Sequence, residues 1–475
     1  MQERHGFKST FGFLMAAVGS AVGLGNIWGF PHKMGSNGGF AFLLVYVILA
    51  ALCGFVVMVS ELSLGRRTGK GAIETYRILS RKFKWLGWLA TLSPFLILSF
   101  YCALGGYCLK YMVLNFGNLI NAGFGTNGLS GDAVFKTFML NQTEGVVFGL
   151  IFVLLTMLIV MGGIRGGIEK FCSIGMPALF IMLVIIIIRS CTLPGAVEGL
   201  KFMFMPNFQP LKENFLSVLA TAGGQMFFSL SLGMGVMITY GSYLDKKKNI
   251  HKNAMIIVVF DTLVALMAGL AVLPAAFALD PEGKTSGPSL LFVTLQNVFD
   301  NMGALGAVFG IVFYLLVILA AITSSISLLE VIVTHFCDKA AAKGKGDKRK
   351  VYSVIAAAAV SVLCILVCLD GMGYSGYWVP GRVLVDGVWQ YTATYNDCWL
   401  DFFDMLSEGI MMPLGALLMC IMIGYELGPD VIRDEIESHE GHKMHSYGFY
   451  KLCVRFITPV LMLLVLGGQI RDFFI

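Results

Sequence analysis

Charged residues are scarce in this 475-residue chain. Only 13% of the residues are charged, whereas 57% are hydrophobic, and the mean hydropathy is +0.78. A soluble domain cannot bury so much apolar surface, so this composition excludes a soluble protein. The formal net charge of +5 is no sign of nucleic-acid binding, because the basic residues are spread over short loops.

Catalytic motifs are also missing from the chain. It has no Walker loop after a strand, no HExxH motif and no GxSxG nucleophile elbow, and no polar stretch is long enough for a nucleotide-binding domain. The eleven cysteines show no zinc-ligand spacing, and we expect most of them to be reduced thiols inside helices. Cys191 and Cys398 fall near the predicted outer surface, where they could pair. From these absences we expect that the protein is not an enzyme and that it uses no organic cofactor.

Long apolar segments dominate what is present. Windows of membrane-spanning length fall near 11–30, 40–60, 87–114, 146–162, 168–190, 216–240, 255–279, 305–335, 352–369, 405–426 and 450–470. They predict eleven helices, the first of which is full length and is not followed by a processing site, so no cleavable signal peptide is expected. Lys and Arg concentrate in alternate loops, which places the N-terminus in the cytoplasm and the C-terminus outside.

Two of these apolar segments are interrupted by glycine. One reads GSAVGLGNIWGFP over 19–31 and the other reads SLSLGMG over 229–235. In hydrocarbon, backbone groups released by a helix break need other partners, such as a bound ion. Either segment alone is also compatible with glycines that only allow close helix packing. Two breaks in corresponding helices of two five-helix halves favour an inverted-repeat transporter with its site between the breaks.

The chain resembles bacterial members of the neurotransmitter:sodium symporter family. The resemblance rests on AVGLGNIWGFP at 21–31, SFY at 99–101, GQMFFSLSLGMG at 224–235 and AAITSSISLLE at 320–330, and it spans nearly the whole chain. It implies an all-α polytopic membrane protein with two inverted five-helix repeats and broken first and sixth helices. One C-terminal helix follows here, whereas the family usually has twelve helices in all.

The resemblance also implies an organisation and an activity. A single transport domain, 1–475, would contain a first repeat at 8–190, a second repeat at 216–426, an eleventh helix at 448–470 and an extended extracellular loop at 370–401. The protein would import amino acids together with sodium across the bacterial inner membrane by alternating access, as a monomer or a homodimer. The alternatives are a carrier for another small zwitterion or amine, a binding-only receptor, or a channel, although a channel would need a continuous polar pore.

Two sodium sites follow from matching positions. The first would combine the substrate carboxylate with Ala21, Asn26, Ser229 and Asp261. A lone carboxylate such as Asp261 in an apolar helix is costly unless it is paired, which predicts a functional role. In animal members of the family a chloride supplies a negative charge near this site, so the resemblance implies that Asp261 makes transport independent of chloride. The second site would use backbone carbonyls and two hydroxyl groups, although adjacent Thr and Ser can also bond back to their own helix. Its members would be Gly19, Val22, Ala320, Thr323 and Ser324.

The substrate site follows from the same resemblance. Gly23 stands where carriers of biogenic amines have an aspartate, so the substrate must bring its own carboxylate, which predicts an α-amino acid. Met234 is flexible and stands where some relatives have phenylalanine, which favours hydrophobic or aromatic side chains. The predicted substrate-binding residues are Ser20, Ala21, Gly23, Leu24, Gly25, Ile97, Tyr101, Phe228, Ser229, Ser231, Met234, Ser324 and Leu328.

The predicted gates are only partly complete. The resemblance assigns the inner gate to Arg4 and Asp338, the outer gate to Phe228 and Asp404, and a helix-unwinding motif to Gly167 and Pro177. Gly29 departs from the family, which normally has an arginine there to pair with the acid at 404. Another basic residue, such as Arg382, could fold in, the gate could close without an ion pair, or the acids Asp404 and Glu408 could attract a cationic substrate group.

The extracellular loop carries one further pattern. Alternating apolar residues flank an Asp386-Gly387 turn in RVLVDGVWQYT, which predicts a small β-hairpin. The aromatic residues of this loop are expected to lie at the membrane interface or to cap the vestibule.

Overall fold

The structure is a computed structural model that describes residues 6–279, 289–346, 348–385, 387–390, 397–439 and 441–474. Arg4 of the predicted inner gate and Asp386 of the predicted hairpin turn lie outside these residues. Among the described residues, nine helices are long and apolar enough to cross a membrane, and one bent pair makes ten. A second interrupted pair, Gln209–Ser229 and Val236–Gly241, completes eleven. The predicted all-α polytopic architecture is therefore confirmed.

We number the spanning helices in chain order. They are α1 (Thr10–Ala21 and Gly25–Ser36), α2 (Phe40–Thr68), α3 (Leu86–Leu119), α4 (Gln142–Met161), α5 (Ile164–Cys191), α6 (Gln209–Ser229 and Val236–Gly241), α7 (Ile250–Leu279), α8 (Gly306–Ala342), α9 (Arg349–Asp370), α10 (Trp399–Leu427) and α11 (Tyr447–Phe473). Short helices between them span Ala72–Leu79, Gly131–Leu140, Ala196–Phe204, Leu290–Asp300 and Asp430–Ile436.

The break in α1 lies within the predicted glycine segment. The first half ends at Ala21, Val22 leaves the helical conformation with φ −79° and ψ 95°, and a π-helical turn resumes at Gly25. The two halves meet at a bend of 45°. Glycine lowers the cost of such a break because it accepts conformations that other residues resist.

The break in α6 lies opposite and is built from left-handed residues. Ser231, Gly233 and Gly235 have φ values of 54°, 75° and 71°. Gly233 is required on steric grounds as well, since a Cβ there would overlap the Met412 carbonyl oxygen of α10. The break is tied to α2 by Glu61, whose Oε1 accepts a 2.7 Å hydrogen bond from the Gly233 amide.

The packing order places both breaks at the centre of the molecule. The first half of α1 packs against α5, α7 and α8, and α8 packs along α3. Large apolar side chains on α5, α9 and α11 point outward instead, for example Ile181, Val362 and Leu463 with 64%, 66% and 60% of their surface exposed. Such an exposed apolar belt around a polar centre fits a protein that faces lipid.

The loop at 370–401 contains the predicted hairpin. Strands β1 (Val383–Val385) and β2 (Val388–Gln390) pair antiparallel, with Val385 opposite Val388 and Val383 opposite Gln390. Within the loop, Trp378 and Trp399 are in edge contact with their ring centroids 6.4 Å apart. The possible bridge between Cys191 and Cys398 is absent, since both are free thiols and Cys398 Sγ lies 3.1 Å from an Asp401 carboxylate oxygen.

Candidate functional site

A small pocket lies between the two breaks and is closed by α3 and α8. All eleven residues that line it were predicted from the sequence to bind the substrate. They are Ser20, Ala21, Gly23, Gly25, Ile97, Tyr101, Phe228, Ser231, Met234, Ser324 and Leu328. The free space between these walls is only about 10 Å³, so a bulky side chain fits only if the walls move. The two other predicted residues, Leu24 and Ser229, lie next to the pocket through the contacts described below.

One end of the pocket is polar backbone and a tyrosine hydroxyl. The Leu24 amide, released by the break in α1, donates a 2.8 Å hydrogen bond to Tyr101 Oη. Gly23 lies beside this contact, and a Cβ there would overlap both Tyr101 Oη and Ser324 Oγ. A Cβ on Gly25 would come within 2.6 Å of the Phe228 ring. Any side chain at 23 or 25 would therefore fill this end of the pocket.

Asp261 lies at the centre of a buried polar cluster. Its carboxylate accepts hydrogen bonds from Asn26 Nδ2 at 2.8 Å, from Ser229 Oγ at 2.8 and 2.9 Å and from Tyr46 Oη at 3.1 Å. Asp261, Asn26 and Ser229 all have 0% of their surface exposed. The side chain of Asn26 also reaches the break itself, because its Oδ1 accepts from the Gly23 amide at 3.3 Å. The cluster collects carboxylate, amide and hydroxyl oxygens where a hard cation such as sodium finds its preferred ligands.

Five further oxygens meet between α1 and α8. Thr323 Oγ1 donates to the Val22 carbonyl at 3.4 Å and to the Ala320 carbonyl at 2.9 Å. Ser324 Oγ lies 3.3 Å from the Gly19 carbonyl. The structure therefore brings together all five residues of the predicted second sodium site. The Thr323 hydroxyl group makes both kinds of contact considered from the sequence, because it hydrogen-bonds to a carbonyl of its own helix and to a carbonyl of α1.

Sequence reasoning missed a residue that borders this second cluster. Met176 of α5 packs against α1 so closely that a Cβ on Gly19 would lie 3.1 Å from its Sδ. Met176 precedes Pro177, and α5 begins with a π-helical turn, Ile164–Glu169, that contains Gly167. The predicted unwinding motif thus flanks the helix face that covers these oxygens.

An ion pair that was not predicted lies beside the pocket, between α1 and α10. Lys33 of α1 pairs with Glu408 of α10, and 20% and 7% of their side-chain surfaces are exposed. Asp404 lies against Glu408 and within electrostatic reach of Lys33. The Lys33 ammonium also lies 6.0 Å from the centre of the Phe228 ring, which lines the pocket.

Lys33 therefore supplies the positive charge that is missing at Gly29, from a position one helical turn further along α1. The basic residue that folds in is thus Lys33 and not Arg382, since Arg382 Nη1 donates to the Tyr377 carbonyl at 2.8 Å and Arg382 acts on Asp397 in the same loop. Burial raises the pKa of Asp397, and Arg382 opposes that shift. Gly29 instead faces Gln225, whose Oε1 would lie 3.0 Å from a Cβ at position 29.

The opposite end of the molecule carries further buried charges. Asp338 accepts a 2.9 Å hydrogen bond from the Gly71 amide, and Lys70 lies 3.7 Å from its other oxygen. Glu330 pairs with Arg349 and accepts from Tyr243 Oη at 2.8 Å. These contacts join α8 to α9 and to the loop after α2.

Two more residues of the site had no sequence signal of their own. Tyr46 and Ser327 are an ordinary aromatic and an ordinary serine within apolar helices, yet they complete the Asp261 cluster and a serine cluster beside the pocket. Only the distance between residues far apart in sequence shows their role.

The fold and the site together define a multi-pass membrane transporter with two interrupted helices around a central pocket. The sequence profile of the sodium:neurotransmitter symporter family matches residues 4–140 and 138–380. The chain belongs to this family and is a sodium-coupled symporter, not an enzyme.

Known relatives agree with this assignment. The chain is 36% identical to the uncharacterized sodium-dependent transporter YhdH of Bacillus subtilis, over 97% of this chain and 96% of YhdH. It is 26% identical to the sodium- and chloride-dependent GABA transporter ine of Drosophila melanogaster, over 85% of this chain and 46% of that protein. The crystal structure of MhsT in complex with L-phenylalanine is similar with a TM-score of 0.84 and 34% identity, and it covers 98% of this chain and 100% of MhsT.

Proposed function

We propose that this symporter imports hydrophobic or aromatic L-amino acids with two sodium ions. The observation that carries the proposal is the pocket between the breaks, where the Leu24 amide and the Tyr101 hydroxyl lie beside Gly23, which has no side chain to keep them away. A substrate carboxylate would fit there, because a backbone amide beside a helix break and a hydroxyl proton are donors that favour an anion. Solved MhsT, with its bound L-phenylalanine, supports this substrate class by similarity.

The two oxygen clusters are the proposed sodium sites. The first consists of Ala21, Asn26, Ser229 and Asp261, and the substrate carboxylate would add a ligand from the pocket. The second consists of Gly19, Val22, Ala320, Thr323 and Ser324. Binding a cation between α1 and α8 would hold the broken helix against its neighbour, so that sodium would favour a closed pocket.

The negative charge of Asp261 is the basis for proposing transport that does not need chloride. A cation in this cluster would have a permanent carboxylate beside it, and Tyr46, Ser229 and Asn26 already direct their donors to that carboxylate. A mobile anion would find these donors occupied.

Lys33, Glu408 and Asp404 form the proposed outer gate above Phe228. A buried ion pair that must separate before substrate enters would favour the closed vestibule, because leaving Glu408 unpaired is costly. We further propose that the chain resides in the bacterial inner membrane with its N-terminus in the cytoplasm. Either a monomer or a homodimer is compatible with this arrangement.

Uptake into proteoliposomes tests the proposal. With an imposed inward sodium gradient, labelled phenylalanine, tryptophan, tyrosine, leucine and glycine are offered separately, and potassium replaces sodium in the control. We expect accumulation of the large apolar amino acids that is lost without the gradient. Binding without accumulation would favour a receptor, uptake that does not saturate would favour a channel, and accumulation of an amine without a carboxylate would contradict the role of Gly23.

The gate is tested by Asp404→Asn in the same assay. We expect altered uptake kinetics, because Asp404 adjoins the Lys33–Glu408 pair. Uptake and substrate choice identical to the unmodified protein would remove Asp404 from the gate.

A further inference from the structure

Three serine side chains meet at the edge of the pocket. Ser20 belongs to the last turn of α1 before its break, Ser231 to the break in α6, and Ser327 to α8. Ser20 Oγ lies 2.6 Å from Ser327 Oγ and 3.3 Å from Ser231 Oγ. The exposed fractions of Ser20, Ser231 and Ser327 are 1%, 3% and 1%. Ser20 and Ser231 line the pocket, whereas Ser327 is not among its lining residues. We call these three residues the serine cluster.

The hydroxyl protons of the serine cluster can be assigned from its acceptors. Each serine has one proton to donate and two lone pairs. Ser327 Oγ donates to the Ser324 carbonyl at 2.7 Å, so the short Ser20–Ser327 contact requires Ser20 to be the donor. Ser231 Oγ donates to the Ser20 carbonyl at 2.9 Å, a much better contact than its 3.3 Å approach to Ser20 Oγ. No proton remains that can be donated into the pocket.

The backbone holds this arrangement in place. Ser231 adopts φ 54°, a left-handed conformation that is uncommon outside glycine. That conformation aims its hydroxyl group at the carbonyl that α1 releases where it breaks. Ser20 and Ser231 therefore present lone pairs alone to a bound molecule, and three of the other lining residues, Ile97, Phe228 and Leu328, are apolar.

We propose that the serine cluster accepts a hydrogen bond from the substrate side chain and thereby selects aromatic amino acids that carry a donor on the ring. An indole N–H or a phenol O–H meets this requirement, whereas an unsubstituted phenyl ring does not. The inference rests on the proposed import of amino acids. It adds a discrimination within the aromatic class that the apolar walls alone do not provide.

The substrate ammonium competes for the same lone pairs, and this competition decides the design of the test. If the ammonium binds Ser231, removing that hydroxyl weakens every amino acid equally. If the ring donor binds Ser20, removing that hydroxyl weakens only donor-bearing substrates. Paired ligands that differ only at the ring separate the two cases.

The experiment measures inhibition of sodium-driven phenylalanine uptake in proteoliposomes. One ligand pair is tryptophan and 3-(benzothiophen-3-yl)alanine, in which sulfur replaces the indole N–H, and the other is tyrosine and 4-fluorophenylalanine. One neutral hydrogen bond predicts inhibition constants that differ by roughly five- to tenfold within each pair in the unmodified protein. In Ser20→Ala, each ratio should fall to about one through weaker binding of the donor-bearing member.

Ser327→Ala is the matched variant outside the pocket lining. It removes the acceptor of the Ser20 proton, which can then turn toward Ser231 Oγ or into the pocket, while Ser20 keeps its lone pairs, so the ratios should fall but less than in Ser20→Ala. Ser231→Gly removes the third hydroxyl without strain at a positive φ. Equal weakening of both pair members in Ser231→Gly assigns Ser231 to the ammonium and leaves Ser20 as the acceptor for the ring donor.

The result that would overturn the inference is specific. Robust phenylalanine uptake with both ratios within twofold of one in the unmodified protein rejects ring-donor selection while the proposed function stands. Unchanged ratios in both Ser20→Ala and Ser327→Ala reject it as well. Absence of sodium-driven uptake for every aromatic amino acid instead rejects the proposed function itself.

Discussion

Replacing Asp261 by asparagine should make transport depend on chloride. The substitution keeps the size of the side chain but removes its charge and one of its two acceptor oxygens. Three donors then converge on one carbonyl oxygen, namely Tyr46 Oη, Ser229 Oγ and Asn26 Nδ2. A cluster of buried donors that has lost its anion is a ready site for another anion, and chloride can restore the missing charge.

The magnitude follows from the charge that the variant loses. Two unit charges about 4 Å apart interact by about 4 kcal/mol at an effective dielectric constant near 20, which corresponds to roughly a thousandfold in affinity as an upper bound. We expect sodium affinity in Asp261→Asn to fall by roughly ten- to a thousandfold in gluconate and to recover largely in chloride. Uptake by the unmodified protein should be the same in both anions.

The assay is the sodium dependence of uptake in proteoliposomes with chloride or gluconate outside. Asp404→Asn removes another carboxylate at a different place and should leave the chloride independence intact. Equal sodium affinity of Asp261→Asn and the unmodified protein in gluconate would refute the charge argument. Loss of uptake by the unmodified protein in gluconate would refute the proposed role of Asp261.

Three other substitutions have clear expected outcomes. Lys33→Ala leaves the buried Glu408 without its ion-pair partner, so uptake should fall by roughly tenfold. The charge-reversed double variant, Lys33→Glu with Glu408→Lys, should recover part of the lost uptake. No recovery would contradict a gate formed by this pair. Gly23→Asp places a side chain beside Tyr101 and should lower amino-acid uptake more than about a hundredfold. Normal uptake by this variant would contradict binding of the substrate carboxylate beside Gly23. Arg66→Ala leaves Glu435 buried without its ion-pair partner and should destabilise the protein by about 3–5 kcal/mol; an unchanged melting temperature of the detergent-solubilised protein would contradict this.

Local sequence patterns predicted most of the architecture for physical reasons. A span must be long and apolar, so its position is visible in composition alone, and ten of the eleven helices satisfy that rule within the described residues. A break needs glycine or another residue that tolerates unusual backbone angles, which made both interruptions visible. The hairpin was predictable because an Asp-Gly turn between alternating apolar residues has few other conformations.

The outer ion pair could not be predicted in the same way. Lys33 and Glu408 are 375 positions apart, and each looks like an ordinary charge near a helix end. Their contact depends on how α1 and α10 pack and on the reach of a long lysine side chain. The resemblance drew attention to position 29, so it indicated that a positive charge was missing but not where another would come from.

Ser327 and Tyr46 were missed for a related reason. Their hydroxyl groups act through residues on other helices, and an isolated serine or tyrosine in an apolar helix usually only satisfies its own backbone or packs in the core. Residues that touch the pocket directly were predicted because they lie within or close to the family motifs. Residues that act through another side chain became visible only when the distances were known.

The hydrogen bonds around the two breaks separate structural contacts from ligand positions. Gln225 Nε2 and Ser231 Oγ bind the carbonyls of Gly25 and Ser20 at ordinary distances of 2.8 and 2.9 Å. The carbonyls of Val22 and Gly19, both in the proposed second sodium site, meet hydroxyl groups only at 3.4 and 3.3 Å. Hydroxyl hydrogen bonds are most often near 2.7–2.8 Å, so these two carbonyls are held weakly.

This difference gives the broken helix two kinds of released carbonyl. Those with strong side-chain partners stabilise the break whatever is bound, and they offset the cost of interrupting a helix in the membrane. Those with weak partners lose little when a cation replaces the hydroxyl proton, so binding there is cheap and reversible. A symporter must release its ions on every cycle, and weakly satisfied carbonyls at Gly19 and Val22 meet that need better than a site built only from buried charges.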